Sequence, residues 1–435
     1  MTTTESSLRA EVTQLLQELI RLDTVNPPGN ETQAAELLRD YLGDHGVQSE
    51  LHARTPDRAN LVARIPGRGG GPSLMLLSHT DTVVADAAEW DADPWSGEVR
   101  DGELWGRGAL DMKNQVAAEA VALASLAREG FEPAGDLVFA ACADEEVGEG
   151  FGLPWLCAEH PDAVRTDYAL NEGAGERMEL FGRAFYLCSS AEKMSSPFRL
   201  RVRGHAGHAS VPGIADNALV KAAPLIERLA AYRPELRLGP ETSAMIQVVV
   251  GQELEPEEAL RLARETDEAA AELLEPLLAF TLSPTMISAS ERRNVIPHLC
   301  EVEVDCRLLP GQTPQHVEPL IREVLGHDVS YDVEFTEAQG GTRSALETPL
   351  WDAIESFVAG IEPGARPVPT CCAGFTDSHW LREAFGTVAY GFFPLREMSA
   401  DVAAALIHSA DERVPVADLE LGVDWLRHAA HAICA

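Results

Sequence analysis

The feature that most constrains this chain is a recurrence between His79 and Glu172, where apolar runs stop at acidic groups. Leu74-Met75-Leu76-Leu77 stops at Ser78-His79-Thr80-Asp81, and a second segment stops at Gly108-Ala109-Leu110-Asp111-Met112-Lys113. Leu137 to Cys142 stops at Asp144-Glu145-Glu146, and Tyr168-Ala169-Leu170 stops at Asn171-Glu172-Gly173. Short continuous apolar runs read as strands buried on both faces. Acidic groups and an imidazole at their ends predict an α/β sheet with its site at the carboxyl ends of the strands, where such sheets bind ligands. His, Asp and Glu together suit a hard or borderline divalent metal.

The rest of the chain fits that frame. Leu8, Val12, Leu15, Leu16, Leu19 and Ile20 recur at helical spacing over residues 5–21, and Asn26-Pro27-Pro28-Gly29-Asn30 ends the pattern. Ala34, Ala35, Leu37, Leu38, Tyr41 and Leu42 mark a second helix, Leu61 to Ile65 a strand, and residues 112–129 a helix behind Asp111. Strand and helix alternating in this way predict a mostly parallel sheet with helices on both faces. Near residue 193 the character changes. Phe198 to Arg203 alternates strictly, a helix follows Asp216-Asn217, Met245 to Val250 reads as a strand and residues 254–277 as an acidic surface helix. Leu299 to Leu308 alternates again, a helix follows Thr313-Pro314, and Val329 to Phe335 reads as a further strand. That order, β-α-β-β-α-β, predicts a small ferredoxin-like α+β sandwich. Helices at 348–359 and 416–433 and a strand at 387–392 close the chain. The expected division is 1–193, 194–336 and 337–435, the outer two forming one domain; 435 residues exceed a single ordinary core.

Composition narrows the function. A net charge of −36 argues against nucleic acid and anionic membrane as partners, since both call for basic surface. No apolar run approaches the ~18–20 residues of a membrane span. The opening MTTTESSLRAEVTQ lacks the basic and apolar regions of a secretory signal. The eight cysteines show no CxxC spacing and read as reduced thiols, which predicts a cytoplasmic protein.

Asp81 follows His79 at the spacing of a carboxylate that orients a metal-bound imidazole. Glu145 and Glu146 are adjacent and so point in different directions; one can bind metal while the other serves as general base in metal-assisted hydrolysis. A second histidine, His408, comes late, in Ile407-His408-Ser409-Ala410-Asp411-Glu412-Arg413-Val414.

The motifs SHTDTV, WGRGALDMK, ADEEVG, NEG, RGHAGHASVP, NVIP, GFTD and HSADERV stand in one order along the whole chain. In that order and at those intervals the chain resembles the aminoacylase/carboxypeptidase family of two-zinc (M20-type) metallopeptidases, which includes succinyl-diaminopimelate desuccinylase, acetylornithine deacetylase, carboxypeptidase G and the Gly-X carboxypeptidases. Glu172, the loop DPWSGEVRDGELWGRGALDMK and the segment YGFFPL look like the aminoacylase and Gly-X carboxypeptidase branch. The resemblance implies that Asp111 bridges two zinc ions, His79 and Glu172 completing one and Glu146 and His408 the other. It implies Glu145 as catalytic base and Asp81 as the partner of His79. It makes 194–336 a lid and dimerisation domain, with His208 stabilising the oxyanion, Asn294 and Arg307 gripping a substrate carboxylate, and Gly374 and Thr376 lining the pocket. Arginine suits that grip because it meets a carboxylate with two parallel hydrogen bonds.

The expectation is a hydrolase with two zinc ions, a ligand set that cobalt or manganese also fits, which cleaves the amide of an N-acyl amino acid or short peptide bearing a carboxylate. An N-succinyl or N-acetyl diamino acid deacylase is the alternative substrate reading. Two other classes stay open at this point. A two-metal phosphoesterase would use Arg107 and Lys113 for phosphate, and a binding protein would keep the fold without turnover.

Overall fold

The computed structural model describes residues 5–266, 268–336 and 339–435. The chain divides into two compact units. One holds Met1–Ser190, Ser344–Thr370 and Thr376–Ala435; the other holds Ala191–Arg343 and Cys371–Phe375. Of the two boundaries expected from sequence, the one at 336/337 adjoins residues 337 and 338, which lie outside the described residues.

In the first unit the main sheet runs in the order Gln48–Ala53, Ala59–Ile65, Leu137–Cys142, Leu74–His79, Tyr168–Asn171, Val388–Gly391, Arg183–Glu192, Glu176–Leu180, Leu395–Ser399. It is a mixed sheet with a parallel middle. Leu74–His79 pairs parallel with both Leu137–Cys142 and Tyr168–Asn171, which in turn pairs parallel with Val388–Gly391. The middle strands are mostly apolar because both faces are covered, with polar residues only where they approach the site, at Ser78, His79 and Asn171. Leu74, Leu76, Leu137 and Phe139 pack with the helices Glu5–Ile20, Thr32–Asp44, Lys113–Arg128, Pro349–Ile361 and Val416–Cys434. Met75, Leu77, Val138 and Ala140 point the other way, against Leu153, Leu156, Val164 and Leu381. Period-two alternation thus assigns each residue of one strand to one of two cores.

The second unit carries an antiparallel sheet in the order Thr281–Ser288, Leu299–Leu308, Phe198–Arg203, Tyr331–Phe335. With the helices Ala218–Ala231 and Pro314–Leu325 the connectivity is β-α-β-β-α-β, but one strand is not where the sequence puts it. Met245 to Val250 lies inside the helix Pro240–Val250, and the strand is Thr281–Ser288. Pro240 at the first helical turn and Gly251 in the left-handed conformation at the end outweigh the β-branched run between them. The acidic stretch after it is two helices, Pro256–Thr266 and Glu268–Leu278. Among the described residues, no helix is long and apolar enough to cross a membrane.

Candidate metal centre

Three of the site segments leave the parallel middle of the sheet side by side. His79 is the last residue of its strand and is buried. Glu145 and Glu146 follow Leu137–Cys142, and Glu172 follows Tyr168–Asn171. The neighbouring strand Val388–Gly391 passes so close that a Cβ at Gly391 would lie 2.1 Å from the Glu172 carbonyl oxygen, so this position calls for glycine.

Asp111 stands at the mouth of a helix, as expected, but not at the end of a main-sheet strand. The strand before it, Glu103–Trp105, belongs to a separate three-stranded sheet with Val99–Arg100 and Arg413–Pro415, and Asp111 sits in the turn that opens the helix Lys113–Arg128. The pairing of Arg413–Pro415 with Glu103–Trp105 also brings His408 to the same place, just beyond the helix Ala400–Leu406.

These segments converge. Asp111 Oδ1 is 3.1 Å from His79 Nε2, and Asp111 Oδ2 is 3.0 Å from His408 Nε2. Glu172 lies 3.7 Å from His79 Nε2 and Glu146 lies 3.2 Å from His408 Nε2. Donor atoms of His79, Glu145 and Glu172 lie within 4.8 Å of one another, as do those of His79, Asp111 and Glu146. One carboxylate therefore faces two imidazoles with its two oxygens, and a further carboxylate stands beside each imidazole.

The electrostatics are those of a site built for positive charge. Burial works against the cationic form of His79, but Glu172, Asp111 and Asp81 outweigh it and hold the imidazole well above its usual range. His408 is pushed up to about 10, first by its hydrogen bonds to Asp111 and Glu146. Burial raises Glu172 to about 7, and burial with the Glu172 charge beside it raises Glu145 as well. Glu146 Oε1 is buried without a hydrogen-bond partner. A buried carboxylate oxygen with nothing to neutralise it is costly, and a cation removes the cost. The donor set and this orphaned oxygen fit one or more divalent ions.

Asp81 plays a larger part than its spacing suggested. Its carboxylate lies 3.5 Å from His79 Nδ1, while its backbone carbonyl is closer, at 3.1 Å. The carboxylate accepts the backbone N–H groups of Glu145 and Glu146, at 3.2 and 3.1 Å, and the side-chain amide of Asn26 at 2.9 Å. It thereby fixes the turn that aims the two glutamates apart. Asn26 also reaches Asp144 at 3.1 Å, and Arg58 joins Asp144 (3.2 Å) to Glu31 (2.6 and 2.8 Å). Sequence reasoning missed Asn26, Glu31 and Arg58. Their one signal was the Asn26-Pro27-Pro28-Gly29-Asn30 break, which read only as the end of a helix.

Of the remaining candidates, His208 and Asn294 lie on adjoining segments of the second unit, through the pairing His208↔Val295 and the bond from Ala209 N to Asn294 O at 3.0 Å. His208 is exposed. Its Nδ1 accepts the Ser210 N–H at 3.2 Å, which leaves the proton on Nε2. Arg307 engages Asp305 in its own strand with contacts of 3.0 to 3.2 Å. Gly374 falls in the second unit and Thr376 in the first, where Thr376 Oγ1 accepts the Ser378 N–H at 3.2 Å.

Comparison with known proteins gives the family. The profile of peptidase family M20/M25/M40 matches residues 75–432. A succinyl-diaminopimelate desuccinylase of Methylobacterium nodulans is 29% identical over 423 residues, covering 93% of this chain and 92% of that protein. One of Cereibacter sphaeroides is 27% identical over 418 residues, with coverage of 93% and 94%. These relatives carry desuccinylase names rather than those of the aminoacylase branch. Among solved structures, an M20 family metallo-carboxypeptidase of Sulfolobus solfataricus superimposes with a TM-score of 0.73 at 18% identity, covering 97% of this chain and 99% of the other. A dinuclear metal-binding M20 peptidase of Bacillus subtilis gives 0.60 at 13% identity, with coverage of 98% and 99%. The chain belongs to peptidase family M20/M25/M40.

Proposed function

We propose that this protein is a two-zinc amidohydrolase that cleaves the amide of an N-acyl amino acid or small peptide bearing a carboxylate. The observation that carries the reading is Asp111, whose two oxygens face His79 and His408 at 3.1 and 3.0 Å. In this reading His79, Asp111 and Glu172 would hold one ion, and Asp111, Glu146 and His408 would hold the other. When bound, the ions supply Lewis acidity and lower the pKa of water.

The chain's own residues supply the rest. Glu145 is the general base: it takes a proton from the attacking water and gives it to the leaving nitrogen, a role typically worth about 10²–10⁴ in rate. Asp81 holds the Glu145 and Glu146 backbone in place. His208 donates from Nε2 to the oxyanion. Asn294 and Arg307 bind the substrate carboxylate, for which Arg307 has to exchange Asp305, and Gly374 and Thr376 contribute to the pocket. The phosphoesterase alternative loses support because the cations it needs are both in use. Lys113 is buried with Nζ on the carbonyls of Leu19 and Leu22, and buried Arg107 is tied to Glu412.

The second substrate reading, an N-succinyl diamino acid deacylase, is favoured by the desuccinylase names of the relatives at 27–29% identity. One experiment separates the readings. Zinc-loaded protein is given N-acyl amino acids, dipeptides and N-succinyl diamino acids, with Glu145→Gln alongside. Cleavage of one class, lost by a factor of about 10²–10⁴ in a variant that still binds metal, supports the mechanism and names the substrate. Full activity in Glu145→Gln removes Glu145 from the mechanism.

A further inference from the structure

We infer that Glu412, with Arg107 as its partner, is a positioning residue that locks the Asp111 turn and the His408 loop into one geometry. The inference rests on the metal-site reading above and concerns residues that reading does not use.

Both oxygens of the Glu412 carboxylate are committed to the Asp111 turn. Oε1 accepts the backbone N–H of Leu110 at 2.6 Å and of Asp111 at 3.0 Å. Oε2 accepts the N–H of Gly108 at 3.1 Å and Arg107 Nη1 at 2.5 Å. Arg107 then reaches in the other direction, and its Nη2 donates to the carbonyl of Ser409, the neighbour of His408, at 3.0 Å. The Glu412 carbonyl accepts the Gly106 N–H at 3.0 Å. Glu412 is 0% and Arg107 3% exposed, so water does not compete for these bonds.

The consequence for the site is geometric. Asp111 must present one oxygen to His79 and the other to His408, and His408 sits in the turn between the helix Ala400–Leu406 and the strand Arg413–Pro415. A carboxylate that grips the Asp111 peptide and, through one guanidinium, the peptide beside His408 sets the distance between them. Groups that orient metal ligands in this way typically change metal affinity 10- to 100-fold when lost.

The same device occurs in this unit away from the site, which supplies a control. Asp418, also fully buried, accepts the backbone N–H groups of Arg396, Glu397 and Met398 at 3.0 to 3.2 Å. It holds a strand that carries no candidate site residue.

The test is zinc titration of the chelator-treated full chain, with thermal melts of the metal-free protein beside it. Glu412→Gln keeps the size but puts an amino group where a backbone N–H needs an acceptor. Zinc affinity should fall about 10- to 100-fold. Asp418→Asn should lower the metal-free melting temperature and leave zinc affinity unchanged. Arg107→Lys, which reaches one of the two partners at most, should weaken zinc binding in the same direction and decides the matter if Glu412→Gln does not fold. Variants at 412 and 107 that bind zinc like the wild type, while melting lower as Asp418→Asn does, overturn the inference and leave the metal site standing. A wild type that binds no zinc overturns the metal reading itself.

Discussion

The hydroxyl of Ser78 and the carboxyl of Glu119 meet at 2.6 Å inside the core, one residue along the strand from His79. The other Glu119 oxygen accepts Gln115 Nε2 at 2.9 Å. Burial pushes this acid up from 4.5 to about 8, with Ser78 and Gln115 pulling the other way. The fold therefore favours the protonated acid, while the unfolded chain ionises near 4.5. Its stabilisation is complete below that pH and is lost as the pH rises to about 8, at up to ~1.4 kcal/mol per pH unit. Glu119→Gln should lose less stability than the wild type between pH 5 and 8 and melt higher at pH 8. Thermal melts across that range check this; parallel curves would mean Glu119 is not protonated in the fold.

The chelated protein should gain stability on adding zinc. At a free concentration of about 100 times the dissociation constant the gain is about 2.7 kcal/mol per site. Because the surrounding carboxylates raise both imidazoles above their usual range, binding should also release protons, visible as acidification in weak buffer. Calorimetric melts with and without zinc, repeated on His408→Ala, test both points. No shift in the wild type would count against the site, and an undiminished shift in the variant would count against His408.

Arg58 is the counterion of a buried cluster rather than of the surface. Its guanidinium meets Glu31 at 2.6 and 2.8 Å and Asp144 at 3.2 Å, with both acids fully covered. Arg58→Met should therefore cost about 3–5 kcal/mol, because it strands charge in the interior. Adding Glu31→Gln should restore part of the loss, since the acid no longer lacks a partner. Urea unfolding of the single and double variants measures this, and a double variant no more stable than Arg58→Met would exclude the coupling.

Much of the architecture is legible because burial on both faces leaves an unbroken apolar run, and the runs at 74–77 and 137–142 end where the acidic groups begin. What fails is informative. Met245 to Val250 is β-rich but helical, as the glycine and proline in front of it and Gly251 behind it allow. Thr281–Ser288 hides because it lies at the edge of its sheet and is broken by a shift between Pro284 and Met286. The strand Arg183–Glu192 and its partner Glu176–Leu180 turn at Phe181-Gly182, both at positive φ, a turn whose aromatic residue does not read as one. The residues that the structure brings together around Asp111, namely His79, Glu146, Glu172 and His408, were readable from their side chains. Glu412, Arg58 and Asn26 were not, because what they hold is backbone or buried acid far away in the chain.

The bond between Arg107 and Glu412 spans 305 residues. At ~5–20 residues per second, roughly 15–60 s of synthesis separate the two. From the synthesis of Glu172 until that of His408, the nascent chain has His79, Asp111, Glu145, Glu146 and Glu172 but neither His408 nor the clamp beside it. On the two-ion reading, a full metal complement therefore waits on the synthesis of His408, long after the other candidate ligands have been made.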